Sequence, residues 1–138
     1  MSAFTEKVRV ARQWIEKAEN DCRNARHTLE MGDDCPYDTV CFHAQQCVEK
    51  YFKALLAALS VDFGKTHDIG ELVSLIPSKV NIPITIEEQE KLSDYAVAGR
   101  YPAADSEPFD RPEAQCALAL AEKVRTAARS HLPKEAIQ

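Results

Sequence analysis

The densest set of side chains able to do chemistry lies in residues 43–56, where His43, Gln46, Glu49, Lys50 and Lys53 recur at mostly three- and four-residue steps. On a helix that spacing sets the groups in one row. His43 can serve as a hydrogen-bond donor or as a general base near neutral pH, and Lys50 and Lys53 can contact phosphate. The same row also reads as a solvated face. In that reading Glu49 and Lys53 form a four-spaced salt pair contributing ~0.3–0.5 kcal/mol, and Gln46 and His43 satisfy backbone or interhelical hydrogen bonds. Residue type alone favours the solvated face, because charged rows on helices usually meet water.

Four further groups have chemical potential. Arg100 and Tyr101 follow Gly99 and precede Pro102, which places them on a turn. Folded back toward Lys50 and Lys53, that turn would form a small basic pocket suited to a phosphate or an acidic partner loop. Arg125 and His131 fall in the final turns of the last helix, where positive charge offsets the helix dipole. His67 sits between Thr66 and Asp68 and reads as part of a helix start rather than as a catalyst. Five cysteines, at 22, 35, 41, 47 and 116, include no Cys-x-x-Cys pair. A zinc site from Cys35, Cys41 or Cys47 with His43 matches no usual ligand spacing, so most of these thiols are expected to be small buried hydrophobes, and no metal is expected.

The elements that must position these groups are helical. Phe4, Val8, Ala11, Ile15, Ala18, Cys22, Ala25 and Leu29 alternate by four and three, predicting a first helix over about 4–31 that ends at Gly32 in the left-handed conformation. Trp14 lies off that stripe, at the rim of the core or at a subunit contact. Pro36 then suits the first turn of a second helix over 37–61, whose apolar rows cover most of its circumference, as in the centre of a bundle. So short a link makes the two helices antiparallel. Asp68 with Glu71, Thr85 with Glu88 and Asp110 with Glu113 have capping-box spacing and open three later helices. Pro83 makes residues 79–84 a loop, and three prolines make 100–112 another. With no strand, repeat or low-complexity segment, the fold expected is a single all-α domain, an antiparallel four- to five-helix bundle.

Composition bounds the function. A chain of 138 residues can bury a core without disulfides. A net charge of -5 argues against broad binding to a phosphate backbone. No stretch approaches the ~18 apolar residues of a membrane span, and no secretion signal opens the chain, so a cytoplasmic protein is expected. There is no phosphate-cradling glycine loop and no carboxylate cluster for catalytic magnesium, so no cofactor is expected.

Three segments together resemble the HEPN family of prokaryotic helical domains: His43-Ala-Gln-Gln-Cys-Val-Glu-Lys-Tyr-Phe-Lys-Ala-Leu, Lys65-Thr-His-Asp-Ile with Leu72, and residues 92–102 ending Gly99-Arg-Tyr-Pro. The resemblance implies a small helical bundle, usually a homodimer, often encoded beside a minimal nucleotidyltransferase. Its ribonuclease branch carries arginine and histidine four to six residues apart at the start of the last long helix. Neither Arg100 nor Arg111 is followed by a histidine in that window. The resemblance therefore points to a noncatalytic binding protein: a homodimeric partner or regulator of a minimal nucleotidyltransferase in a toxin-antitoxin-like module. It would contact nucleotide, RNA or its protein partner through His43, Gln46, Lys50, Lys53, Arg100 and Tyr101. The alternative is a metal-independent ribonuclease of the toxin type with an atypical site at His43 or His67 near Arg100.

Overall fold

A computed structural model describes residues 2–98 and 109–138. These form helices α1 (Ala3–Leu29), α2 (Tyr37–Ala58), α3 (Ile69–Leu75), α4 (Ile86–Ala98), α5 (Arg111–His131) and a one-turn α6 (Lys134–Ile137). There is no strand among the described residues, so the protein is an all-α bundle as its periodicity requires. The turn expected at Arg100 and Tyr101 lies outside the described residues.

Each of four helices starts where its sequence provides a cap. Ser2 accepts from the Thr5 amide, Asp68 from Glu71 and Asp110 from Glu113. Thr85 and Glu88 form the complete reciprocal box, each side chain accepting from the other's amide at 3.1 and 2.8 Å. Helix α1 ends at Leu29, two residues short of expectation, and Gly32 at φ 78 turns the chain inside a 3-10 turn, Gly32–Asp34. Helix α2 ends at Ala58, and Ser60 takes the left-handed conformation there at φ 57.

Helix α2 is the axis of the molecule. It packs on α1 along its length and also touches α3, α4 and α5. Ala11, Ala18, Cys22 and Ala25 of α1, and Ala114, Ala117, Ala121 and Ala128 of α5, are fully or almost fully buried, so small side chains let both helices approach it closely. Tyr51, Phe52, Leu55 and Leu56 fill the centre. Because α2 is covered on so many sides, its polar residues are drawn into the interior with its apolar ones.

Candidate functional site

The polar row of α2 is divided between two carboxylates. Asp21, the one buried charged residue of α1, accepts from His43 Nδ1 at 2.8 Å and from Lys50 Nζ at 2.5 Å. His43 and Lys50 are seven apart, so both project toward the same strip of α1. Their side chains remain about a quarter exposed.

Between His43 and Lys50 on α2, Glu49 is 2% exposed and receives three neighbours. Gln45 Nε2 donates to it at 3.0 Å, Lys53 Nζ at 3.1 Å, and His67 Nδ1 lies 3.0 and 3.1 Å from its two oxygens. Gln46 in turn donates to Gln45 at 2.6 Å. An ionised carboxylate only accepts, so the Nδ1 of His67 carries the hydrogen. Among the described residues no buried side-chain nitrogen or oxygen lacks a partner.

This arrangement corrects one expectation. The Glu49–Lys53 pair exists as its spacing implies, but it is not on a solvated face: Gln46, Glu49 and Lys53 are buried. The chain after α2 turns back over them and brings His67 onto Glu49. His67 is thus more than part of a helix start, although its neighbours do cap α3: Thr66 accepts from the Asp68 amide and donates to Glu71. Asp21, which holds one group, and Gln45, which belongs to the other, carry no signal in the sequence for these roles.

Lys53 also lies over the Trp14 ring, 5.2 Å from its centroid. Trp14 meets Phe63 edge-to-face at 6.0 Å, so it is a half-buried rim residue. Arg125 and His131 serve different neighbours. Arg125 clamps Glu19 with two bonds of 2.7 Å, and His131 Nε2 lies 3.3 Å from the Asn81 carbonyl. The clamp, reinforced by the Tyr51 hydroxyl, holds the Glu19 carboxyl below its ordinary range.

Cys22, Cys35, Cys41 and Cys47 are buried free thiols, and no group of three or more histidine, cysteine or acidic side chains gathers among the described residues. Cys22 and Cys47 share a hydrogen bond across the α1–α2 contact, which lowers Cys22 to about 7 and raises Cys47. Burial pushes Cys41 up to about 12.

This architecture is that of a known family, whose HEPN domain profile matches residues 11–131. The chain belongs to the HEPN family. The Thermus thermophilus protein TT1696 is 34% identical to this HEPN protein, with a TM-score of 0.76, covering 88% of this chain and 98% of its own. ST0689, an archaeal HEPN homologue, is similar in fold: TM-score 0.69, 23% identity, 89% and 98% covered. No curated protein matches. In this HEPN domain no helix among the described residues is long and apolar enough to cross a membrane.

Proposed function

We propose that this HEPN protein is a noncatalytic, homodimeric partner or regulator of a minimal nucleotidyltransferase in a cytoplasmic toxin-antitoxin-like module. Nucleotide or RNA contact is assigned to the open edge of the polar row, His43 and Lys50, with Gln46 and Lys53 beneath and Arg100 and Tyr101 as further contacts. One observation carries the noncatalytic part. The basic groups of the row are committed to internal carboxylates, His43 and Lys50 to Asp21 and Lys53 to Glu49. Groups paired in this way can still hydrogen-bond a bound ligand at their exposed edge, but they are poorly placed to stabilise the additional charge that develops on a phosphate during cleavage.

The test is co-expression with the minimal nucleotidyltransferase that the proposal requires beside this gene, followed by light scattering of the purified material. A stable complex holding two copies of this chain is expected. Separate elution of the two proteins at roughly micromolar concentration would overturn the reading.

One observation favours the ribonuclease alternative. His67 is a half-exposed imidazole oriented by a buried carboxylate, an arrangement that can make a general base.

A further inference from the structure

Beside the buried Glu49 group, the chain between α2 and α3 forms the wall of a cleft of about 410 Å³ against α1, lined by Trp14, Lys53, Phe63, Gly64, Lys65 and His67. We infer that this cleft binds a small anion carrying a flat ring, with the ring against Trp14 and Phe63 and the anionic group at Lys65.

The lining divides into two chemistries. Trp14 and Phe63 supply an apolar corner, held edge-to-face, of the kind that takes a planar ring. Its volume is within the range of small-ligand sites. The charges at its mouth are unequal in their commitments. Lys53 is 5% exposed, and Glu49 and the Trp14 ring already occupy it. Lys65 is exposed and has no partner among the described residues. His67 gives its Nδ1 hydrogen to Glu49, which leaves Nε2, without a partner among the described residues, as an acceptor for a hydroxyl of the ligand rather than as a contact for its charge. Glu49 is balanced by Lys53, so Lys65 gives the mouth a net positive charge in a protein of net charge -5. An anion gains there from the lysine, and a ring gains from leaving water against the two aromatics. Neither half alone uses the whole cleft. The inference does not rest on the partner reading, because binding in the cleft and complex formation have separate readouts.

Trp14 is the single tryptophan of the chain, so its fluorescence reports directly on this cleft. The full chain is titrated with phenyl phosphate, AMP, inorganic phosphate and benzyl alcohol, excited where only tryptophan absorbs. Saturable change is expected with one or both ring-bearing phosphates, with inorganic phosphate and benzyl alcohol weaker by roughly tenfold or more. AMP saturating first identifies a nucleotide as the source of the ring, and phenyl phosphate saturating first identifies a simpler aromatic anion. Lys65→Ala, whose side chain holds nothing else in place, should weaken the ring-bearing phosphates by about three- to tenfold, and Lys65→Arg should restore them. The inference is overturned if no ligand saturates, if benzyl alcohol matches phenyl phosphate, or if Lys65→Ala binds as the natural chain does.

Discussion

Glu49 and His67 are 18 residues apart in sequence, and their side chains meet at 3.0 Å, a carboxylate with 2% exposure holding an imidazole with 56%. The contact ties the chain leading into α3 to the axis of the bundle. It also joins a group sealed in the core to one that water can reach.

Neutralising the buried carboxylate should cost the most stability. Glu49→Gln leaves the Lys53 ammonium in the core without its counter-charge, a loss of about 3–5 kcal/mol. Urea unfolding measures it. Adding Lys53→Met to Glu49→Gln removes the stranded charge and should recover part of the loss, so the double variant is more stable than Glu49→Gln alone.

Asp21→Asn is expected to be milder, about 1–3 kcal/mol, because His43 and Lys50 are partly exposed and water replaces some of what they lose. The midpoint of thermal unfolding checks this. An unchanged midpoint would mean that Asp21 does not hold the row to α1.

These costs bear on what could be read from the sequence. The stripe Val8, Ala11, Ile15, Ala18, Cys22, Ala25 and the capping pairs at 68/71, 85/88 and 110/113 specified the helices, because periodicity and caps are local properties. Asp21 was not legible as the partner of His43 and Lys50, since its role depends on the register of α1 against α2. The Glu49–Lys53 pair was legible from its four-residue spacing, but its burial was not. That burial follows from the packing of α1, α3, α4 and α5 around α2 together with the return of the chain at residues 63–67, tertiary events that the spacing of the pair does not encode. The one-turn α6 was missed because four residues carry too little periodicity.

The clamp on Glu19 predicts an acid-side signature. Its folded carboxyl is lowered, first by the hydrogen bonds from Arg125, relative to an ordinary value of 4.5. A depressed carboxyl contributes stability in full above that ordinary value and loses it as pH falls toward the folded one. The stability difference between the natural chain and Arg125→Leu should therefore be constant above about pH 5 and shrink as pH drops below 4.5. Denaturant midpoints across that range check it, and a difference that grows toward acid would contradict the assignment.

Thiol labelling separates acidity from access. Cys22 is lowered to about 7 by its bond with Cys47, yet it is wholly buried, whereas Cys116 is exposed. Iodoacetamide on the folded protein should modify Cys116 first and Cys22 only on opening of the α1–α2 contact, because a thiolate must be reached to react. Mass spectrometry of the labelled protein reads the order.

The most direct test of a noncatalytic role is incubation of the purified chain with RNA in the absence of metal, beside His43→Ala and His67→Ala shown to be folded. Intact RNA is expected in all three samples. Cleavage by the natural chain that is lost in either folded variant would contradict a noncatalytic role and make the imidazole held by Asp21 or by Glu49 part of an active site.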